Sequence, residues 1–230
     1  MSGGKRVLVV SPHCDDETIG MGGTIARHAA EGDDVSVYVV TGHGEGRPYP
    51  MFKEENVKRV RAEAAQACDR LGVKDLLFTD IPAAFVSMQA PWYLNKTIGD
   101  TVASIQPDIM YVPFLFDLHR DHREIFHSLS VAWRSSSAIG RQIQAIYCYE
   151  VQSETHWNFP NVEPGFLPDH WVDISDYLDV KIEALQFYKS QVRPAPDARS
   201  IEAIRSLAVW RGSLQGMHAA ESFVTVRTLR

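Results

Sequence analysis

The sequence predicts a doubly wound α/β fold built on a mostly parallel sheet. Three observations carry this. Short apolar runs such as residues 7–10 (Val-Leu-Val-Val) are continuous rather than alternating, as in strands buried on both faces. These runs alternate along the chain with segments of helical character. A length of 230 residues, 45% hydrophobic and 23% charged, suits one α/β domain and excludes a disordered or low-complexity chain.

The first strand, residues 7–10, is stopped by Ser11-Pro12. Residues 18–30 follow as a helix, with Gly20, Gly22 and Gly23 near its start and an Ala-rich end closed by Gly32. Residues 35–41 are rich in β-branched side chains and read as a second strand, ended by Gly42-His43-Gly44-Glu45-Gly46. A helix over 54–71 closed by Gly72, a short strand over 76–79, a helix over 93–105 and a buried strand over 109–113 complete the regular part. Beyond it, residues 145–151 and 171–174 read as strands, separated by a Pro/Gly/Asn-rich loop at 157–168. Residues 176–191 carry an apolar stripe (Leu178, Ile182, Leu185, Tyr188), and 200–212 read as a further helix. No repeat or linker divides the chain, so 1–230 is expected to be one domain, its part from about 151 to 230 closing the pocket.

The net charge of −6 argues against a protein that holds nucleic acid by its overall field. Residues 181–230 are nevertheless basic, with 8 Lys/Arg against 4 Asp/Glu. That leaves room for a small anionic ligand, although a solvated face is the default for such charges, Arg193 and Arg199 included. Three widely spaced cysteines (Cys14, Cys68, Cys148) cannot form a disulfide framework, which suits a reducing, cytoplasmic setting. The run at 7–10 is too short for a signal-peptide core, and the stretch 109–116, interrupted by Pro113, is far too short to span a bilayer. No membrane insertion is expected.

Chemistry concentrates in Ser11-Pro12-His13-Cys14-Asp15-Asp16-Glu17-Thr18, directly after the first strand, where open α/β sheets bind ligands. Three adjacent carboxylates repel one another unless a cation or hydrogen-bond donors compensate. His13 and Asp16, three apart, can close on one metal ion; helix capping by Asp15 or Asp16 accounts for this cluster equally well on its own. A second cluster, His119-Arg120-Asp121-His122, follows the strand at 109–113. It can supply a metal ligand, an acid/base group and an orienting partner. Two histidines and one carboxylate with an open position describe hydrolytic zinc centres, and the coincidence of two such clusters at two strand ends favours a metal site over a polar surface turn.

Residues 7–23 resemble the signature of the LmbE-like (PIG-L) family of zinc-dependent N-deacetylases, Pro-His-Pro-Asp-Asp-Glu followed by a Gly-rich turn, and His119-Arg120-Asp121-His122 resembles the family's second motif. Similarity extends to residues 61–72, Tyr149-Glu150, 172–174 to 190–191, and Ala220-Glu221-Ser222-Phe223, so it covers most of the chain. Cys14 stands where the family usually has Pro; no ligand is lost by it. The resemblance implies a Rossmann-like three-layer α/β/α sandwich. It implies His13, Asp16 and His122 as zinc ligands, with another divalent metal left open. It implies Asp15 as the general base, His119 as the group that stabilises or protonates the tetrahedral intermediate, and Asp121 as the residue orienting a histidine. His119 is expected to act as an imidazolium, its pKa raised by the carboxylates around it.

Outside these motifs, the stretch at 42–46 lacks phosphate-loop spacing and is expected to let backbone approach the site, with His43 a substrate contact. Arg61 and Trp157 are further substrate-contact candidates; the aromatic-amide run His156-Trp157-Asn158-Phe159 suits stacking on a sugar or an ordinary packed loop. Cys14 as a nucleophile is the weaker reading, because acidic neighbours raise a thiol pKa. His28, His127 and His218 are expected at surface or packing positions. The expected activity is removal of an N-acetyl group from an amino sugar or its conjugate, a small-molecule substrate, with homo-oligomerisation left open. The alternatives are a zinc amidase on a non-sugar or thiol-conjugate N-acyl substrate and a non-catalytic nucleotide-binding module, which needs no stoichiometric metal.

Overall fold

The computed structural model describes residues 4–42 and 53–229. Seven strands form one sheet in the order β3-β2-β1-β4-β5-β7-β6. β1 (Arg6–Ser11), β2 (Asp34–Thr41), β3 (Asp75–Ile81), β4 (Ile109–Pro113) and β5 (Ala145–Tyr149) are parallel. β7 (Ala220–Thr228) runs antiparallel to both β5 and the edge strand β6 (His170–Asp173). The sheet is therefore mostly parallel, as expected.

The continuous apolar run of β1 has a direct structural cause. Val7 and Val9 face a core shared with α1 (Asp16–Ala30), α2 (Glu54–Leu71) and α7 (Leu178–Leu185). Leu8 and Val10 face the opposite core, under α3 (Pro91–Ile105) and α4 (Arg120–Ala132). All four are fully buried. Short helices α5 (Ala138–Gln142) and α6 (Gln152–Thr155) flank β5, and α8 (Ile201–Ser213) precedes β7.

Gly32 and Gly72 terminate their segments with positive φ (86° and 80°), as the sequence reading requires of them. The apolar stripe at 176–191 is shorter as a helix than expected: α7 ends at Leu185, and the chain then proceeds by turns. The helices α4, α5 and α6 and the strand β7 were not anticipated.

The chain builds β1, β2 and β3 outward in one direction and then returns to place β4 on the other side of β1. That reversal opens a crevice beyond the carboxyl ends of β1 and β4. Both histidine-aspartate clusters fall there, one after each strand.

Candidate active site

The turn from β1 into α1 is set by Asp15, whose φ of 111° lies in the left-handed region. A non-glycine residue there costs about 1–3 kcal/mol, which the surrounding contacts must hold in place. Asp15 occupies the N-cap position of α1, yet its side chain makes no capping hydrogen bond. The capping alternative for the first cluster therefore fails. The three consecutive carboxylates, all buried, have separate surroundings. Glu17 accepts from Thr18 Oγ1 and Tyr188 Oη, each at 2.6 Å, and from Asp15 N at 3.2 Å. It is a structural group. Asp16 Oδ2 lies 3.2 Å from both His13 Nδ1 and His122 Nε2. Asp15 Oδ2 has no hydrogen-bond partner.

His122 enters from the first turn of α4 and is fully buried. Its Nδ1 is held by Asp117 Oδ2 at 2.8 Å, and Asp117 is itself fixed by the Thr155 hydroxyl, which donates to its Oδ1 at 2.6 Å. His13 is held in the same way, its Nε2 3.1 Å from Asp121 Oδ2. Each imidazole thus has one nitrogen on a carboxylate and the other facing Asp16. Asp121 orients His13, across the crevice, rather than either of its neighbours in sequence.

The ionisation pattern follows from this crowding. Burial opposes charge on His13, but its hydrogen bonds with Asp121 and Asp16 win and hold its pKa up at about 9. Burial likewise opposes charge on His122, and the Asp16 and Asp117 carboxylates raise it well above its usual range. Burial pushes the Asp15 carboxyl up to about 8; Arg199 opposes this, and Asp16 and Glu17 add to it.

His119 departs from expectation. Burial first, then the charge of His13, lowers its pKa to about 4, against a weaker pull from Asp121. It is therefore a neutral imidazole at physiological pH, not an imidazolium. Its Nδ1 accepts from Asp121 N at 3.1 Å, capping α4, which assigns the proton to Nε2. Burial also raises the Cys14 thiol well above its usual range, with Glu17 and Asp15 adding to it, so the nucleophile reading is excluded.

A cation fits this cage because of the atoms left open. Among the described residues, donor atoms of His13, Asp16 and His122 lie within 4.8 Å of one another, as do those of His13, His119 and Asp121. In the second group Asp121 Oδ2 accepts from Ala84 N at 2.6 Å and His119 Nδ1 is taken by the cap. In the first, His122 Nε2 is buried without a hydrogen bond. An orphaned ring nitrogen beside a shared carboxylate oxygen is what a metal ion satisfies.

The remaining predicted residues sit further out. The Arg61 guanidinium pairs with Asp80, lies 3.4 Å from the Gly42 carbonyl and stacks 4.8 Å over Phe78. Trp157 is 55% exposed, two residues past Thr155. His43 lies outside the described residues. His28 bridges Asp33 and Tyr111 at the far end of α1. Arg199 is not the solvated residue expected: its Nη1 lies 3.5 Å from Asp15 Oδ2 and its Nη2 3.3 Å from Glu154 Oε1. Sequence reasoning missed Asp117 and Glu154 altogether.

Comparison with known proteins places the chain among deacetylases. Residues 8–133 match the family model described as "PIG-L: GlcNAc-PI de-N-acetylase". The diacetylchitobiose deacetylase of Thermococcus kodakarensis is 27% identical over 94% of this chain and 81% of its own. A 1D-myo-inositol 2-acetamido-2-deoxy-alpha-D-glucopyranoside deacetylase of Actinosynnema mirum is 27% identical over 81% of each chain. GalB, the 4-carboxy-2-hydroxymuconate hydratase of Pseudomonas putida KT2440, superposes with a TM-score of 0.77 at 24% identity, covering 98% of both chains. That last likeness is one of fold, and it shows that this fold hosts more than one reaction.

Proposed function

The chain belongs to the PIG-L family, and on that footing we propose that it is a metal-dependent hydrolase that removes an N-acetyl group from an amino sugar or an amino-sugar conjugate. The observation that carries the reading is the placement of Asp15, with one oxygen free of hydrogen bonds, beside the cage of His13, Asp16 and His122. Relatives named for removing acetyl groups from chitobiose and from a glucosaminyl-inositol support the substrate class. We read residues 1–230 as one domain acting as a unit.

His13, Asp16 and His122 are the proposed ligands, and two imidazoles with one carboxylate suit zinc. When bound, the metal supplies positive charge that polarises an acyl carbonyl and lowers the pKa of a water to about 7. A cation held by His13, Asp16 and His122 would favour the ionised form of the neighbouring Asp15, whose carboxyl burial otherwise pushes up to about 8. Asp15 Oδ2 then accepts the proton of the attacking water and returns it to the nitrogen as the C–N bond breaks, giving the free amine and acetic acid, which ionises to acetate. His119, neutral and protonated at Nε2, donates a hydrogen bond to the carbonyl oxygen as charge develops there. Asp121 and Asp117 keep the two ligand imidazoles aimed. Arg61 and Trp157, at the same end of the sheet, are the side chains offered to the rest of the substrate.

The test is acetate release from a panel of N-acetyl sugars, nucleotide sugars and glycoconjugates, alongside N-acyl thiol conjugates, with and without added zinc after chelation. Zinc-dependent acetate from a sugar member is the expected result. Turnover confined to non-sugar amides would move the substrate class, and no turnover with no bound metal would contradict the reading.

A further inference from the structure

We infer that Arg199 is a positioning residue for Asp15: it holds that carboxylate at the edge of the cage while leaving Asp15 Oδ2 open to the reacting water. This rests on the reading of Asp15 as proton acceptor.

Arg199 belongs to the segment between α7 and α8, far from Asp15 in sequence, and its backbone is tied down on both sides. Its N–H donates to Asp197 Oδ1 at 2.8 Å and its carbonyl accepts from Arg193 N at 3.3 Å. The next residue, Ser200, caps α8, its Oγ accepting from Ala203 N at 3.1 Å. The side chain is thereby launched from a fixed point.

Its guanidinium is divided among three partners. Nε donates to Ser153 Oγ at 3.1 Å and Nη2 to Glu154 Oε1 at 3.3 Å, both on α6. Nη1 stops 3.5 Å from Asp15 Oδ2 and makes no hydrogen bond to it. A bidentate Arg–carboxylate fork would occupy both oxygens and suppress their basicity. Ser153 and Glu154 hold the planar fork back from that geometry, so Asp15 receives attraction without losing its lone pairs. Asp15 needs such a tether because its backbone is in the left-handed region and its side chain makes no cap. A lysine would supply the charge but not the three-way fixation.

The experiment uses full-length protein carrying Arg199→Ala or Arg199→Lys, with Arg205→Ala as control, since Arg205 pairs with Asp179 on the exposed face of α8. With metal content matched, Arg199→Ala is expected to lower kcat about 10- to 100-fold, as a misplaced reacting group does, with KM within about twofold of wild type. Arg199→Lys should recover part of the loss, and Arg205→Ala none should be seen in. Millimolar guanidinium should partly restore Arg199→Ala. In a crystal structure of Arg199→Ala, the Asp15 carboxylate should leave its present position. An unchanged kcat against an active wild type overturns the inference, as does a loss confined to KM or an Asp15 side chain that stays in place. If wild type itself releases no acetate, the proposed function fails, while the variant structure still decides where Asp15 sits.

Discussion

Asp117 and Asp121 act on different histidines although they stand four apart, because α4 begins between them. Asp117 lies before the helix and meets His122 from below; Asp121, inside its first turn, reaches across to His13. Replacing Asp117 by Asn keeps the shape but removes the charge that makes His122 Nε2 a better donor to a metal. We expect Asp117→Asn to weaken metal affinity about 10- to 100-fold, measured by competition with a chromophoric chelator. Affinity equal to wild type would make Asp117 a packing residue. The sequence made the cage residues legible because His13-x-x-Asp16 and His119-x-x-His122 are local spacings. It could not show Asp117 as a partner, since a lone Asp in Phe114-Leu115-Phe116-Asp117 has no pattern until the helix start is known. Arg199 was hidden for a related reason: a basic residue after a Pro-rich stretch reads as solvated, and only the tertiary fold brings α8 against α6. The expected imidazolium at His119 failed because burial and then the His13 charge, its ring 4.5 Å away, outweigh the pull of Asp121 at 4.0 Å, while His119 Nδ1 accepts the Asp121 N–H as a cap.

At the level of elements, the glycine-rich start of α1 is a packing device. A Cβ on Gly20 would lie 2.4 Å from Tyr149 Cδ2 and 2.8 Å from the Glu150 carbonyl oxygen. Helix α1 is also broken at Met21 (φ −150°), which frees backbone donors in its middle. Glu221 of β7 accepts them, from Gly23 N at 3.0 Å and Thr24 N at 2.6 Å, and buried Lys181 balances its charge at 2.6 Å. The last strand thus holds the helix whose first turn carries Asp15 and Asp16. Gly20→Ala should destabilise by about 1–3 kcal/mol through overpacking. Gly99→Ala, in the interior of α3 with nothing within 4 Å of its Cβ, should gain about 0.5–1 kcal/mol. Urea midpoints read both, and a neutral Gly20→Ala would contradict the close packing. The parallel strands were legible because two-sided burial writes itself as an uninterrupted apolar run. β7 was not, since Ala220-Glu221-Ser222 opens it with polar residues whose partners lie on α1, on α7 and at Glu150, just past β5. α4 was not, because its first turn is occupied by the His119-Arg120-Asp121-His122 cluster.

For the whole molecule, the cage couples folding to pH and to metal. His13 rises from 6.5 to about 9 on folding, so its contribution to stability is fully present below pH 6.5 and is lost as pH climbs through 9. Asp15, raised from 3.8 to about 8, acts in the same direction over a lower range, its contribution being lost as pH climbs from about 4 through 8. Chelated protein should therefore lose thermal stability between pH 6.5 and 9. Metal bound at the proposed His13–Asp16–His122 cage would displace protons from His13 and His122, so affinity should rise over the same interval and the metal-loaded protein should not show that loss. Melting curves with and without zinc across this range check it; parallel curves would mean that the metal does not occupy the His13–Asp16–His122 cage. The most direct measurement compares wild type with Asp15→Asn, a substitution that fits the left-handed backbone at that position, scoring bound metal and acetate release on the same samples. The account predicts one metal per chain in both, with turnover about 10²- to 10⁴-fold lower in the variant. Equal turnover at equal metal, or a variant that cannot hold the metal at all, would contradict it.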